Sequence, residues 1–451
     1  MSHTPKATGA ILDFAAAPHV LPPAVRADAL RLLGDTLAVM GAGAASDEAA
    51  KVRAATDDPA FHTGFAIHCL EWDAVHEGAV VHALSVVTAG LLASSRRAGG
   101  SGPDEFLTAL AVGVDIASGL GIAATGPMRF FRPATAGVIG AALAVARLEG
   151  LTRAQMADVL GLAYSFAGGT MQAHLEASIA LPMQIGRAAQ AAVQAVDLVK
   201  AGLSGPHDVL EGPFGYGTLI EPIDLARYTP GTPWRISEVS IKPFPSGRAS
   251  HGALGALGQI VPGTGRWREA TEGAGGFEPE LYNASPLRQP FGLPPPRSGE
   301  DLLTSITAID LYAPPLIARL VGRPYRADMT PAYARLCLAF LAPLMLRDGM
   351  IDPRAFTPAT FANPAMARLA AKVRVHSDGN ADGNAMTPQR LVVTMADGSQ
   401  VERNVPVTLG SPDAPMSPEQ YSAKYTLCRE LAGDCDPRLF DDPLAYATDP
   451  R

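Results

Sequence analysis

Alanine and glycine occupy more than one face of the helical runs in the first 240 residues, and this feature most narrows what the chain can fold into. Leu30, Leu33, Leu37 and Met40 recur at helical spacing after Pro22 and Pro23, which a first helical turn tolerates, and Gly41 and Gly43 read as the end of that run. Similar runs cover about 61–72, 80–96, 104–119, 134–149, 153–168 and 186–202. Small residues let helix axes come close, and a helix that is apolar all round has to be buried. Several such helices in one chain can be satisfied only by packing on each other. With 451 residues, 47% of them apolar and 18% charged, the chain is long enough for two cores and too apolar for disorder.

The pattern changes near Thr229. Residues 229–247 are rich in Pro and Ser, and Ile236 to Lys242 alternates as a short strand would. Residues 263–300, rich in Gly, Pro and Arg, read as a long surface insertion. A strand at about 304–311 and a helix at about 330–347 follow. Leu391–Met395, an Asp397-Gly398 turn and Gln400–Val407 form the clearest hairpin. Ser417-Pro418-Glu419-Gln420 is a capping box that opens the last helix. The expected fold is therefore mostly α. A large all-helical domain spans 1–240 and is joined by the 413–451 tail, and a smaller α+β domain spans 241–412.

A net charge of −8 with no Lys/Arg cluster argues against nucleic acid as a partner. Cys69, Cys337, Cys428 and Cys435 show no CxxC spacing, as expected of a reducing compartment. The N-terminus has no basic region leading into an apolar run, and the apolar stretch Ala79–Ser94 carries His82 and is short for a span. The expectation is a cytoplasmic protein without a membrane segment. Gly119, Gly121 and Gly126 do not form a dinucleotide fingerprint, and no Walker A or GxSxG sequence occurs. Asp378, Asn380, Asp382 and Gly383 imitate a calcium loop, but Gln389 at its twelfth position lacks the needed carboxylate, so these residues read as a polar approach to the hairpin.

His68, Glu71, Asp73, His76 and His82 make the densest ionisable cluster, set in an apolar region. Buried charges there have to be paired, hydrated or functional. Three readings stay open from the residues alone: an acid–base site, a structural polar network, and a metal site on His68, Glu71 and His82, although no HExxH-like spacing supports the last.

Phe61 to His76 and Val81 to Ala93 resemble the AxxNGxAAHxLDFDDTH and HPSAxVxPAxLA segments of the MmgE/PrpD family. Phe130 to Gly137, Leu181 to Ala189, Gly202 to Tyr216, Lys242 to His251 and the Pro415–Gln420 ending resemble further family motifs, so the resemblance runs along nearly the whole chain. It implies a helical domain, a smaller lid-like α+β domain, a cleft between them, a homodimer, and neither organic cofactor nor metal. It also implies lyase or isomerase chemistry on a small carboxylic acid, by dehydration, decarboxylation or epimerisation.

Carried over by position, His82 is the expected general acid/base, Asp73 its orienting or proton-accepting partner, and Lys242 a catalytic cation that binds carboxylate. Arg132, Arg248, His251 and Glu71 are expected around the substrate, with Glu71 replacing an aspartate of the family pattern. The chain departs from that pattern at Arg132 and Gln184, where the family has histidine, at Val75, where it has threonine, and at Leu181, where it has lysine. Each lost cation removes a charge-assisted hydrogen bond worth about 1.5–3 kcal/mol. The expected substrate therefore carries fewer carboxylates than methylcitrate, with apolar surface against Leu181. The same losses leave a non-catalytic acid-binding relative as the rival reading, and a metal-dependent hydratase as a further one.

Overall fold

The computed structural model describes residues 6–260 and 304–449, so the 263–300 insertion lies outside the described residues. The chain is mostly α-helical. The first core is built from α1 (Lys6–Ala16), α2 (Pro23–Ala44), α3 (Asp47–Ala55), α4 (Pro59–His68), α5 (Ala83–Arg97), α6 (Pro103–Ala123), α7 (Arg132–Leu148), α8 (Arg153–Ser165), α9 (Gln172–Leu175), α10 (Ala180–Lys200) and α11 (Tyr216–Leu219). The central helix α7 packs on α5, α6 and α10, while α4 packs on α2 and α10. Nearly all of α6 and α7 is buried.

Small residues set these spacings. A Cβ on Gly140 would stand 2.3 Å from the Gly113 carbonyl oxygen where α6 and α7 cross. A Cβ on Gly43 would stand 1.9 Å from the Ala66 carbonyl oxygen where α2 meets α4. Gly41 and Gly43 stand in the last turn of α2, which ends at Ala44 close to where the sequence placed its end, and close packing requires them there. Helix α6 is long and apolar enough to cross a membrane, longer than the stretch picked from sequence, and 94% of its apolar window is buried against its neighbours.

The second core contains α12 (His251–Ile260), β1 (Ile306–Ala313), α13 (Pro315–Val321), α14 (Pro331–Ala334), α15 (Leu338–Asp348), α16 (Pro358–Phe361), α17 (Pro364–Ala370), β2 (Val373–Ser377), β3 (Gln389–Met395) and β4 (Gln400–Val405). The sheet order is β2-β1-β3-β4, with β1 parallel to β2 and the other pairs antiparallel. Leu311 faces Leu391, and Leu391 faces Arg403. The helix expected at about 330–347 is two helices, with Arg335 to Cys337 breaking them where Gly322 bridges Cys337. The strand expected at Ile236–Lys242 is a 3₁₀ turn (Arg235–Glu238) followed by one bridge, Ser240 with Val75. Its only ladder partner is an equally short stretch of loop, so no longer pairing can form.

The buried apolar residues fall into two clusters, one drawn from Ile11–Ile241 with Leu427–Ala447, the other from Phe244–Val393. The tail helices α18 (Pro418–Ala432), α19 (Arg438–Asp441) and α20 (Pro443–Thr448) pack on α2. A buried ion pair of Lys424 with Asp35, 2.6 Å apart, ties α18 to α2. The segment between Ile241 and Phe244 links the two cores and is held on both sides: Ser240 N donates to Val75 O at 2.9 Å, and Ile241 N to Gly410 O at 2.8 Å.

Gly43→Ala should lower stability by about 1–3 kcal/mol, the usual cost of overpacking a tight contact. Urea unfolding followed by circular dichroism measures it; an unchanged midpoint would show that α2 and α4 can move apart freely.

Candidate active site

His68 is the last residue of α4 and His82 caps the start of α5. The loop between them carries Glu71 and Asp73, and Lys242 enters from the junction of the two cores. Asp73 is fully buried, and its carboxylate is the hub. His68 Nδ1 lies 3.0 and 2.9 Å from its two oxygens, His82 Nδ1 lies 3.0 Å from Oδ2, and Ser85 Oγ donates to Oδ2 as well. An ionised carboxylate only accepts, so both imidazoles carry a hydrogen on Nδ1. That places the reactive nitrogen of each ring at Nε2. The rings stand edge to face, 4.8 Å between centroids.

Lys242 is buried behind this pair. Its Nζ donates to Glu71 O at 2.9 Å and lies 3.4 Å from Glu71 Oε2 and 3.8 Å from Asp73 Oδ1. Lys242 and His82 thus share one carboxylate, while Lys242 does not border the cavity that His82 faces. The contact positions the lysine as a counter-cation rather than a direct substrate ligand.

The electrostatics separate the two histidines. Burial pushes the His68 pKa down, but the Asp73 and Glu71 carboxylates outweigh it and raise it above the ordinary value. His82 is lowered, because burial, with help from Lys242, outweighs the attraction of Asp73. Burial opposes ionisation of Asp73, yet the two imidazoles hold its carboxyl well below the usual range. Glu71 is also lowered, His68 and Lys242 overcoming its burial. The two rings therefore differ in proton affinity, His68 the higher and His82 the lower, the division an acid and a base need.

The cavity in front of His82 is lined by both cores. Val75, Val80, Met128, Phe131, Met171 and Leu181 come from the first, and Leu320, Val321, Leu336 and Met386 from the second. Most of its wall is apolar. His174 also borders it, with burial the main cause holding its pKa down to about 4, so it stands there neutral. Among the described residues, the non-glycine positions with positive φ are Glu71 (54°), Val80 (53°) and Ala177 (54°). All three line this cavity or the one adjoining it. Such backbone costs about 1–3 kcal/mol each and collects at functional sites.

The other residues expected at the site are placed as follows. Arg248 borders the cavity and is held by Glu77 at 2.7 Å and by the carbonyl oxygens of Leu409 and Thr408 at 2.7 and 3.2 Å, with its buried Nε unpartnered among the described residues. His251 sits behind Arg248, with Nδ1 3.4 Å from the guanidinium, and burial beside that cation drives its pKa well below the ordinary value. Arg132 does not face the cavity. Its Nε donates to Glu221 Oε2 at 2.8 Å, its second nitrogen to Glu221 Oε1, and its third to Ala79 O at 2.7 Å, so the expected carboxylate binder is fully engaged by the protein itself. Gln184 also points elsewhere, donating to Thr170 O at 3.2 Å beside Gly169. Leu181 lines the wall as expected of an apolar contact.

Ligand atoms of His68, Asp73 and His82 lie within 4.8 Å of one another, close enough to be tested as a metal site. The fit is poor on chemistry. Both Nδ1 atoms are turned as donors to Asp73, and Lys242 stands 3.8 Å from the same carboxylate, so a dication would face a cation already in place. A second hollow, between α1 and residues 210–230, offers Glu211, Asp224 and Tyr228 but no basic side chain for proton transfer.

Residues 53–224 match the MmgE/PrpD N-terminal domain, and residues 296–437 match the MmgE/PrpD C-terminal domain. The chain belongs to the MmgE/PrpD family. The cis-aconitate decarboxylase of Homo sapiens is 26% identical over 386 residues, covering 81% of this chain and 71% of the relative. That of Mus musculus is 24% identical over 393 residues, covering 82% and 72%. The hub of this MmgE/PrpD site falls in the N-terminal match, whereas Leu320, Val321 and Leu336 come from the C-terminal one.

Sequence reasoning counted His68 in the ionisable cluster but gave it a role of its own only as a metal ligand, although its place five residues before Asp73 was visible. It gave no weight to His174 or Arg335, which no motif marks. Asp73→Asn should cost about 3–5 kcal/mol in denaturant unfolding, because an amide cannot accept from both buried imidazoles and removes the charge that they and Lys242 share. A loss below about 1 kcal/mol would show that Asp73 does not balance those charges.

Proposed function

We propose that this protein is a lyase that moves a proton at the carbon next to a carboxylate of a small carboxylic acid. One observation carries the reading: a single buried carboxylate orients two histidines of opposite protonation preference at the wall of a largely apolar cavity. Its relatives' names, cis-aconitate decarboxylase, agree with lyase chemistry on a small acid.

In this reading His82 Nε2 is the base and takes the proton from carbon. The electron pair left behind spreads into the adjacent carboxylate, whose growing charge meets the Arg248 guanidinium. His68, the ring with the higher proton affinity, supplies the proton that a leaving hydroxyl requires, so that the electron pair released at carbon becomes the new double bond and water departs; where a carboxylate leaves as carbon dioxide instead, no C–H bond is broken first, and the pair left on carbon takes that proton. Asp73 keeps both rings aimed through their Nδ1 atoms and stabilises the charge that passes between them. Lys242 and Glu71 hold that carboxylate in register from behind. The reaction routes no step through a metal or an organic cofactor.

The apolar wall argues for a substrate with an apolar arm and fewer carboxylates than a tricarboxylic acid, since each buried methylene gains about 0.8 kcal/mol whereas an unpaired buried carboxylate costs several. The smaller core, which closes one side of the cavity, would serve as the lid, and a cytoplasmic homodimer remains part of the proposal.

Proton NMR in deuterated water tests the shared first step. Short mono- and dicarboxylic acids should lose their α-proton signal with the protein present, and His82→Gln should slow the exchange by about two to four orders of magnitude. Because the His82 pKa is held below the ordinary 6.5, the midpoint of the acid limb of the exchange rate should lie below pH 6.5, with the rate falling as pH drops through it. Absence of exchange with every acid in the panel would sink the reading, and an acid limb at or above 6.5 would remove His82 as the base. Conversion of cis-aconitate at a kcat/KM above about 10⁴ M⁻¹s⁻¹ would refute the preference for fewer carboxylates.

A further inference from the structure

Five cationic side chains are buried in the described structure: Arg132, Lys242, Arg248, Arg335 and Lys424. Four of them sit in ion pairs, with Glu221, Glu71, Glu77 and Asp35 respectively. Arg335 is the exception. Its residue is 5% exposed, its Nε has no hydrogen-bond partner, and it has no ion-pair partner, among the described residues. Phe356 covers one side of the guanidinium, 5.4 Å from ring centroid to cation. Arg335 also lines a small cavity that shares His68, Glu71, Leu181 and Leu336 in its wall with the one before His82.

The local fold keeps the arginine there. Arg335 is the first residue of the break between α14 and α15, and its carbonyl accepts a hydrogen bond from Gly247 N at 3.0 Å, in the residue next to Arg248. Ala177, one of the left-handed residues, lines the same small cavity. Glu48 and Glu71 act on this guanidinium only from beyond ion-pair distance, and a buried guanidinium without a direct partner is unfavourable for the folded chain, so a protein retains one where a ligand supplies the contact. Its planar donor set matches a carboxylate, which it can hold through two parallel hydrogen bonds.

We propose that Arg335 binds a second carboxylate of the substrate, remote from the reacting carbon, so that the acid is a dicarboxylate lying past Leu181 and Leu336 with one end at Arg248 and the other at Arg335. The proposal rests on the small-acid reading of the site and narrows it to a substrate class. Arg335 takes no part in proton transfer; it sets which acid is held and where.

Succinate and butyrate, which share a four-carbon chain and differ by one carboxylate, are the probes. Calorimetry on the full chain should show succinate binding about tenfold or more tighter than butyrate. In Arg335→Gln the succinate affinity should fall to the butyrate level while butyrate binding is unchanged, and Arg335→Lys should recover part of the difference. Without ligand, Arg335→Gln should melt no lower than the parent protein, because a buried charge that makes no ion pair has been removed. A variant that keeps the succinate preference overturns the proposal. So does one that melts lower and loses both acids in equal proportion, the mark of a structural residue. If the parent protein binds neither acid, the small-acid reading falls and the Arg335 anchor falls with it, whereas retained preference in Arg335→Gln overturns the anchor alone.

Discussion

The carboxylate of Asp73, fully buried and shared by two histidines, a serine and a lysine, is the interaction on which the rest of the site depends. Its charge could not persist in an apolar bundle without those partners, and each partner needs the carboxylate for the same reason. This mutual dependence fixes the loop between α4 and α5, sets the tautomer of both rings and separates their proton affinities. It also spans the molecule, because the lysine comes from the junction where the chain passes from one core to the other.

Around that hub the two cores play different parts. Closely spaced helices of the first, drawn together at glycines such as Gly43 and Gly140, form a rigid wall that holds the histidines. The second contributes Leu320, Val321, Leu336 and Met386, which keep the facing side apolar. Low polarity strengthens every charge interaction within the cavity. The left-handed Glu71, Val80 and Ala177 show that backbone preference is overridden where the two meet, and tertiary packing has to hold them there.

Family membership and the mostly helical character were legible because they are written in local patterns: alanine-rich periodicity, capping boxes such as Ser417 to Gln420, and motif spacing around His68 to His82. The hairpin was legible too, since the Asp397-Gly398 turn states its geometry locally. Where the reading departed from the structure, a distant partner decided. Gly41 and Gly43 read only as a helix end, yet Gly41 also meets Leu439 and Ala432 of the tail and Gly43 meets helix α4. Arg132 had the right chemistry for a substrate carboxylate, yet Glu221, 89 residues away, takes it. Gln184 likewise turns to Thr170.

The sequence by itself determined the helical class, the family and the clustering of acids and imidazoles near residue 70, because each depends on residues close together in the chain. Tertiary structure alone decided which charges face the cavity. Arg132 and Arg335 are both buried arginines and look equally available in one dimension. One pairs with a glutamate at its own depth, and the other has no ion-pair partner among the described residues, Glu48 and Glu71 acting on it only from farther off. That difference arises only when the folded backbone carries or withholds a counter-charge, since the energy of a buried ion is set by what stands within a few ångströms of it.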